Sequence, residues 1–461
     1  MRLSAATLVQ VPGEVSRFTY DRTAQAVGIV HFGIGAFHRA HQAWYTDAAM
    51  NAGDRDWMIS GVSLRSPAVA QQMNPQDGLY SLAERSASSA KLRIVGAVRE
   101  VLVASDEPQA VIARIAAPAT RIVSFTVTEK GYCRVADGSL DLGLADDSSI
   151  FRFLHEGLAA RRAAGLAGLT LLSCDNLADN GRQLERLVSE YLATHDSDLG
   201  DWVAAQCTFP STMIDRIVPA TTTADREEVA VRLGGLRDEA VVMTEPFSQW
   251  VIEDRFAGAR PGWDKVGAQL VADVAPYETA KLRMLNGAHS ALAYLGLLRE
   301  HTFVHQAVAD PELRPLVERL MREEAAPTIV AAPGQNLSAY ADDLLTRFAN
   351  PALQHRLIQI AMDGSQKIPQ RWLETLAAQQ ACGRHCPAIL TALAAWLRHL
   401  RGENAAAHGP VDDPLAAPLA LAWQEHGKTG VIAAVFGEAG LIASPWHPER
   451  SSDIAFIAAL L

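Results

Sequence analysis

The sequence has 461 residues, 49% of them hydrophobic and 20% charged, with a formal net charge of −11. A chain of this length exceeds a single typical hydrophobic core, so we expect two domains. The negative charge argues against nucleic acid and anionic membranes as partners, and no apolar run of about 18 residues predicts a membrane-spanning helix.

The N-terminus lacks the apolar segment of a secretory signal peptide, and the five cysteines are odd in number and scattered. This pattern does not indicate a disulfide framework. It predicts a protein of the reducing cytoplasm.

The first predicted elements are a strand over 27–32, a tight turn at Gly33 and Gly35, and a helix from Ala36 onward. A dinucleotide pyrophosphate needs this order, because glycines allow close backbone approach and a helix N-terminus offers free N–H groups. His38 replaces the third glycine of the G-x-G-x-x-G fingerprint, so an ordinary strand–turn–helix connection also explains the pattern.

Three residues just inside this helix, His38, Arg39 and His41, add cationic or donor groups and favour a bound phosphate. We therefore predict a cofactor-binding role for Gly33, Gly35, Phe37 and His38.

A second strand, predicted over 57–64, follows at the distance expected for a βαβ unit. An acidic residue near its end would hold the ribose hydroxyls of NAD, whereas an arginine suits the 2′-phosphate of NADP. Arg65 stands here without an adjacent acid, so these residues leave the choice of cofactor open.

Further buried runs over 91–103, 121–133 and 169–181 predict more strands. Ligand-contacting residues tend to lie at the carboxyl ends of parallel strands. These ends carry Thr128, Glu129, Asp175 and Asn176. For any one of these residues alone, a capping or turn role is the more ordinary explanation.

Residues 205–276 are rich in turn-forming sequence, and beyond Pro276 the pattern changes to long helical stretches that are rich in Ala and Leu. We therefore predict an α/β protein with a Rossmann-type dinucleotide-binding domain over 1–275 and an all-α domain over 276–461.

The apolar stretch 277–296 predicts one buried helix that also carries Glu278, Lys281, Asn286 and His289. At about 100° per residue these four polar residues fall on one side, with Asn286 about 140° from Lys281. Buried polar groups need partners. The cluster is therefore either a satisfied network that joins this helix to its neighbours or a catalytic constellation built around a lysine base.

Two more stretches of the helical part carry polar residues. Residues 347–372 either supply Lys367 and Arg371 to a site or form solvated helix ends, and residues 402–414 predict an exposed loop. The Cys382-x-x-His385-Cys386 cluster has no matching second pair for a four-ligand zinc site, so we expect no metal. Redox chemistry on an alcohol would then rely on lysine and amide donors.

Ordered sequence blocks occur along nearly the whole chain, namely GIGAFHRAHQA, TVTEKGYC, LSCDN, FPSTMIDRIVP, TEPFSQWVIED, KLRMLNGAHSALAYLG, RFANPAL and MDGSQKIPQR. With these blocks the chain resembles the mannitol dehydrogenase family of polyol-specific long-chain dehydrogenases. The resemblance implies a Rossmann-type N-terminal domain, a helical C-terminal domain and metal-independent hydride transfer. It implies NAD as cofactor, with NADP not excluded.

The resemblance also assigns residues. The family's Lys-x4-Asn-x2-His motif falls on Lys281 as the base, Asn286 as an amide donor to the developing alkoxide and His289 as the residue that orients the substrate. A second amide donor falls on Asn176 and a proton-relay glutamate on Glu278. The strand-end residues Arg65, Thr128, Glu129 and Asn176 complete the cofactor candidates. The resemblance gives Asp215 and Lys367 as substrate candidates, and Arg371 and Gln359 are added from their positions in the block 347–372.

Two departures from the family pattern are evident. Pro67 and Ala68 replace an acidic pair that favours NAD in some members, and Gln359 replaces an arginine that mannitol-oxidising members use. Several blocks are closest in wording to the fructuronate reductase (D-mannonate oxidoreductase) branch, which implies reversible oxidation of D-mannonate to D-fructuronate. The alternative is a neutral polyol such as mannitol, sorbitol or arabinitol. We expect a monomer or small homo-oligomer.

Overall fold

The computed structural model describes residues 1–86, 89–135, 137–146, 148–403, 405–448 and 451–461, apart from the side chains of Glu129 and Ser451. The chain divides into two compact units, the N-terminal unit (Met1–Val274) and the C-terminal unit (Ala275–Leu461). Within the described residues every strand lies in the N-terminal unit, and the C-terminal unit is helical. The predicted fold class is confirmed.

The strands follow one another along the N-terminal unit. They are β1 (Ser16–Arg17), β2 (Val27–Phe32), β3 (Met58–Ser63), β4 (Tyr80–Arg85), β5 (Ala90–Val95), β6 (Val98–Val103), β7 (Ile122–Phe125), β8 (Thr170–Ser173), β9 (Thr212–Asp215), β10 (Val242–Thr244), β11 (Gln249–Glu253) and β12 (Gln269–Val271).

Helices connect these strands. They are α1 (Ala36–Ala40), α2 (Gln42–Asn51), α3 (Ala68–Met73), α4 (Pro108–Ala116), α5 (Thr128–Gly131), α6 (Ile150–Ala163), α7 (Asn180–His195), α8 (Ser197–Gln206) and α9 (Thr223–Arg232). Short 3-10 turns occur at Ala5–Gln10, Asn74–Gln76 and Trp263–Val266.

A five-stranded parallel sheet, described in full, has the order β6-β3-β2-β7-β8. Counted from β2 as the first strand, this is the order 3-2-1-4-5 of a doubly wound dinucleotide-binding fold. Both faces of the sheet are covered, because Ile29 packs in one hydrophobic cluster and Val30 in another. Burial on both faces explains why these strands are almost continuously apolar.

Two smaller sheets complete the N-terminal unit. One has the order β1-β5-β4-β10, with β4 and β5 antiparallel, and the other has the order β12-β11-β9, with β9 antiparallel to β11. The predicted run over 91–103 thus forms two strands, β5 and β6, which belong to different sheets and are joined by a corner at Gly96. A Cβ at Gly96 would lie 2.5 Å from the Phe18 ring, so this corner requires glycine.

Predictions of loop structure needed correction in two places. The turn-rich region 205–276 contains helix α9 and the four short strands β9 to β12 in its described residues. The predicted exposed loop over 402–414 contains a short helix, and Asn404 lies outside the described residues.

The C-terminal unit consists of helices. They are α10 (Ala275–Ala280), α11 (Gly287–Leu298), α12 (Val304–Ala309), α13 (Leu313–Arg319), α14 (Leu337–Phe348), α15 (Leu357–Ala361), α16 (Gly364–Ile368), α17 (Glu374–Ala381), α18 (Pro387–Leu400), α19 (Ala405–His408), α20 (Ala416–Phe436, kinked at Gly427) and α21 (Ser451–Leu460). Short 3-10 turns lie at Ala326–Thr328 and Pro351–Leu353.

Three described stretches of this unit are π-helical, at Lys281–Asn286, Leu320–Ala325 and Pro369–Leu373. The first of them interrupts the single helix predicted over 277–296. Because a π-helix bonds residue i to i+5, residues five apart lie about one turn from each other. Lys281 and Asn286 are separated by five residues, so the angle calculated for a regular α-helix does not apply to them.

Candidate functional site

The glycine turn lies where the order of the parallel sheet reverses. Gly33 follows β2 directly, and β2 lies between β3 and β7. Gly33 has φ +92°, and a Cβ there would overlap the carbonyl oxygen of Thr126, which follows β7. Only glycine fits this position. In doubly wound folds, ligands bind in the crevice beside this point.

Gly35 has a different role, because it borders open space. A Cβ at Gly35 would meet only the Gly33 carbonyl oxygen, at 3.8 Å. The residue is the N-cap of α1, so the first N–H groups of that helix have no intrahelical acceptor. This geometry fits a pyrophosphate that approaches the backbone closely, with Gly35 and the first turn of α1 as its contacts.

The three side chains predicted to draw phosphate to this turn are buried instead. Arg39 donates to the carbonyl oxygen of Ala240 at 2.5 Å, and His41 Nε2 bonds the Gln249 carbonyl oxygen at 3.0 Å. His38 is 1% exposed and stacks on His31 with ring centroids 3.4 Å apart.

Burial lowers the pKa of His38 well below its usual value, so the imidazole is neutral. The predicted cationic contribution is therefore wrong for His38, and the side chains of Arg39 and His41 bond backbone carbonyl oxygens instead. Both ring nitrogens of His38 are buried without a hydrogen-bond partner, and half-buried Phe37 stacks on His41 with ring centroids 5.2 Å apart.

Two loops follow β7 and β8 at the same edge of the sheet. The Asp175 carboxylate accepts from the backbone N–H groups of Val127 and Thr128, each at 3.0 Å, and from the Tyr132 hydroxyl at 2.9 Å. Thr128 has φ +64°, a left-handed conformation that a β-branched residue rarely adopts. Asp175 therefore holds the Thr128 loop in shape, and its neighbour Asn176 is exposed at the strand end. The side chain of Glu129 lies outside the described residues.

A cavity of about 560 Å³ lies at the carboxyl ends of β3 and β6. Its lining includes Leu64, Pro108 and Arg152. Arg65, the next residue after Leu64, is exposed. Hydrogen bonds from Ser148 lower the pKa of Asp146, and the charge of Arg65 lowers it further. In a doubly wound fold the strand after the glycine turn borders the adenosine half of the cofactor. Sequence patterns had indicated Arg65 here but not Arg152.

Asp215 ends β9 and is 5% exposed. The next residue, Arg216, donates to the Glu84 carboxylate at 2.6 Å and to the Glu245 carbonyl oxygen at 3.0 Å. The Glu245 carboxylate accepts from the backbone of Ile217 at 2.8 Å. These bonds fix the backbone on the carboxyl side of Asp215, a candidate for substrate contact.

In the C-terminal unit, the π-helical stretch brings two candidate residues together. Lys281 begins this stretch and Asn286 ends it, while Glu278 precedes it in α10 and His289 follows it in α11. The i to i+5 spacing places Lys281 and Asn286 on nearly the same side of the helix. The polar cluster predicted from the sequence is therefore tighter than a regular α-helix would make it.

His289 is buried beside two rings that sequence reasoning had missed. Its ring lies 4.6 Å from Phe348 and 5.3 Å, edge-on, from His355. Burial, with His355, Arg347 and Arg371 nearby, lowers its pKa well below the usual value. His289 Nε2 is buried without a hydrogen-bond partner. A neutral imidazole of this kind can bond a polar ligand without carrying charge. Both missed rings lie in the block 347–372, whose unusual polarity was the available signal.

Two further candidates, Lys367 and Arg371, lie close together. Lys367 Nζ donates to the Met362 carbonyl oxygen at 2.6 Å, and burial together with Arg371 lowers the lysine pKa. Burial lowers the pKa of Arg371 to about 10. Arg371 Nη1 donates to the Ser290 hydroxyl at 2.7 Å. The arginine predicted to help hold a substrate therefore also contacts α11. Gln359 is exposed in α15.

The cysteines and the predicted metal-like cluster give no further site. All five cysteines are free, and only Cys382 among them is exposed. His385 Nδ1 lies 3.4 Å from Asp453, and burial raises the pKa of Cys386 to about 12. In the part of the chain that the structure describes, no three His, Cys, Asp or Glu residues are grouped to hold a metal ion. No helix there has the length and apolar character needed to cross a membrane.

Comparisons with known proteins agree with this architecture. Residues 27–265 match the mannitol dehydrogenase Rossmann domain and residues 273–439 the mannitol dehydrogenase C-terminal domain. The chain is 40% identical to D-mannonate oxidoreductase of Escherichia coli, over 98% of this chain and 96% of that protein. It is 38% identical to mannitol 2-dehydrogenase of Pyrenophora tritici-repentis, over 90% of this chain and 76% of that protein.

A solved structure extends the comparison to three dimensions. The ternary complex of Pseudomonas fluorescens mannitol 2-dehydrogenase with NAD and D-mannitol matches with a TM-score of 0.85 and 35% identity, covering 100% of this chain and 96% of that chain. The two domain matches together span most of the sequence, and the glycine turn lies at the switch point of the sheet. The chain therefore belongs to the mannitol dehydrogenase family and is an oxidoreductase that acts on secondary alcohols with NAD(P).

Proposed function

We propose that this enzyme reversibly oxidises D-mannonate to D-fructuronate. The observation that carries the proposal is the 40% identity with a D-mannonate oxidoreductase over 98% of the chain. Lys367 adds support, because a sugar acid differs from a neutral polyol by one carboxylate, which a lysine ammonium binds well.

Lys281 acts as the base in this proposal. As a neutral amine it removes the proton from the substrate hydroxyl. A nicotinamide cofactor held at the glycine turn would supply the hydride acceptor. A lysine base requires a depressed pKa, which burial and nearby cations can produce. Glu278 lies three residues earlier in α10, one helical turn from Lys281, and passes the proton to water.

The side-chain amide of Asn286 donates a hydrogen bond to the developing alkoxide. Such a donor is worth about 3 kcal/mol of transition-state stabilisation. Asn176 has the same proposed role as an amide donor. His289, held neutral by its buried position, bonds the substrate and orients it. Asp215 is proposed to contact a substrate hydroxyl.

The cofactor residues are proposed from the N-terminal unit. Gly33, Gly35 and the first turn of α1 hold the pyrophosphate, and the cavity at the ends of β3 and β6 takes the adenosine half. Arg65 and Thr128 border the same edge of the sheet. An exposed arginine at the end of β3 is compatible with a 2′-phosphate, so we expect the enzyme to accept NADP in addition to NAD.

The test is the initial rate of oxidation of D-mannonate and of D-mannitol, each with NAD and with NADP. A kcat/KM for D-mannonate at least tenfold above that for D-mannitol is expected. A preference for D-mannitol or another neutral polyol would instead identify a sugar-alcohol dehydrogenase, and Lys367 would then act as a donor to a hydroxyl.

A further inference from the structure

The π-helical stretch at Lys281–Asn286 packs against the two others of the described C-terminal unit. It contacts both Leu320–Ala325 and Pro369–Leu373. π-Helical turns are rare, because the wider turn is less stable than an α-helix and needs support from its surroundings. Those that occur are often at functional sites. The contacts that support the Lys281–Asn286 stretch come from Arg283, Arg371 and Trp372.

One contact comes from Arg283, inside the stretch. Its guanidinium donates to the Thr328 hydroxyl at 2.8 Å and the Thr328 carbonyl oxygen at 3.0 Å, and it lies 3.2 Å from the Glu374 carboxylate. This side chain fixes the middle of the π-helical stretch from the outside.

The second contact comes from the π-helical stretch Pro369–Leu373 and lies where α11 begins. Trp372 Nε1 donates to the Gly287 carbonyl oxygen at 3.1 Å. Arg371 Nη1 donates to the Ser290 hydroxyl at 2.7 Å and lies 3.5 Å from the Asn286 carbonyl oxygen. Two neighbouring side chains thus bond the backbone at the point where π-helical geometry returns to α-helical geometry.

Arg371 is unusual because its described polar contacts are neutral. Ser290 and the Asn286 carbonyl oxygen are its hydrogen-bond acceptors, and Tyr294 is the neighbour that favours its charge. Burying a cation without a carboxylate is costly. A surface arginine could be replaced without consequence, whereas this one bonds the helix that carries Lys281, Asn286 and His289.

We propose that Arg371 is a positioning residue, which acts through Ser290 and the Asn286 backbone to hold the π-helical turn and so keep Lys281 and Asn286 in register with His289. This inference rests on the proposed roles of those three residues. It differs from a role in binding a substrate carboxylate, because a positioning residue affects every substrate alike. Displacement of a catalytic group by about 1 Å can lower a rate by about 10²-fold.

The test combines Arg371→Met, Arg371→Lys, Ser290→Ala and the double variant Arg371→Met/Ser290→Ala, with kcat and KM measured for D-mannonate and D-mannitol. The Met variant is expected to lose at least tenfold in kcat on both substrates, with KM changed less than threefold. The Lys variant should recover most of the loss, because a single donor contacts Ser290. The double variant should be no worse than the Met variant, since both changes break the same contact.

Arg314→Met is the matched control, because Arg314 pairs at 3.1 Å with Glu318 on the surface of the same unit and lies outside the proposed machinery. Its kcat should equal that of the unchanged enzyme. A rise in KM confined to D-mannonate would overturn the proposal and make Arg371 a carboxylate ligand. Additive losses in the double variant would overturn the link through Ser290.

A readout without turnover separates this inference from the proposed function. Hydrogen–deuterium exchange over 281–290 should accelerate in Arg371→Met and remain unchanged in Arg314→Met. If the unchanged enzyme oxidises neither substrate, the proposed substrates are wrong, and the exchange result still decides the inference. Unaltered exchange over 281–290 in the Met variant would refute it.

Discussion

Lys281 is half-buried at the first position of the π-helical stretch, five residues from Asn286. Replacing it by alanine removes the proposed base and leaves the amide donors in place. We expect Lys281→Ala to lower kcat by about 10²- to 10⁴-fold, the usual contribution of a general base. NADH affinity, measured by fluorescence titration, should change less than twofold. Turnover retained at more than a tenth of the original rate would refute the role.

Arg65 is exposed at the carboxyl end of β3, with no acid beside it in the sequence. Its guanidinium is expected to pair with the 2′-phosphate of NADP, which NAD lacks. Arg65→Ala should therefore weaken NADPH binding by about tenfold, on the order of 1.4 kcal/mol, and leave NADH binding nearly unchanged. Isothermal titration with both nucleotides measures this difference.

Arg55 provides the control for that comparison. It is exposed in the same unit but precedes β3, at the amino end of the strand, and its guanidinium bonds the Asp54 carbonyl oxygen at 2.9 Å. Arg55→Ala should leave both affinities unchanged. Equal NADPH affinities in the Arg65 and Arg55 variants would remove Arg65 from cofactor selection.

At the scale of elements, helix α16 depends on an acid from a distant loop. The Asp413 carboxylate accepts from the Ser365 backbone at 2.7 Å and from the Ser365 hydroxyl at 2.6 Å. These bonds satisfy donors in the first turn of α16, the helix that carries Lys367. Asp413 falls in the stretch predicted only as an exposed loop, so that prediction missed its structural role.

Asp413→Ala is expected to cost about 1 kcal/mol of unfolding free energy, as the loss of a helix cap does, and to raise KM for the sugar substrate through Lys367. Asp412→Ala is the matched control, because Asp412 also carries a charge near Lys367 but accepts from the N-cap residue Asp363 only through its backbone carbonyl oxygen. Urea unfolding and steady-state kinetics measure both effects. Equal changes in the two variants would show that charge rather than capping is responsible.

The π-helical stretches show the limit of reasoning from periodicity. The spacing of apolar residues correctly indicated a buried helix over 277–296, and four polar residues within it were predicted to form a cluster. The geometry at Lys281–Asn286 could not be predicted, because it depends on Arg371, Trp372 and Thr328. These residues are far away in sequence, and their bonds exist only in the folded unit.

At the scale of the whole molecule, histidines whose pKa values are lowered by burial contribute to the response to acid. Burial lowers the pKa of His31 to about 3, and it also lowers the pKa values of His38, His289 and His355. In the unfolded chain each would titrate near its ordinary value of about 6.5. Below that pH the unfolded state binds protons that the folded state does not bind, so stability falls as pH falls.

We therefore expect the thermal unfolding midpoint to be constant from pH 8 to 7 and to fall between pH 6.5 and 5. The loss is about 1.4 kcal/mol per pH unit for each histidine that stays neutral when folded. His38→Gln should flatten this decline, whereas a change at exposed His426 should not. A midpoint that is independent of pH down to 5 would contradict the assignment of these histidines as neutral.

The sequence by itself determined the fold class, the family and the candidate residues, because these depend on local patterns: strand, glycine turn and helix near Gly33, and the Lys-x4-Asn-x2-His spacing at Lys281. Tertiary structure decided what those residues contact. It buried the side chains of His38, Arg39 and His41, which were expected to be available to a phosphate, and it joined Asp413 to α16. It also set Arg371 against Ser290. Burial and long-range hydrogen bonds arise from segments distant in the chain, and local sequence patterns do not specify them.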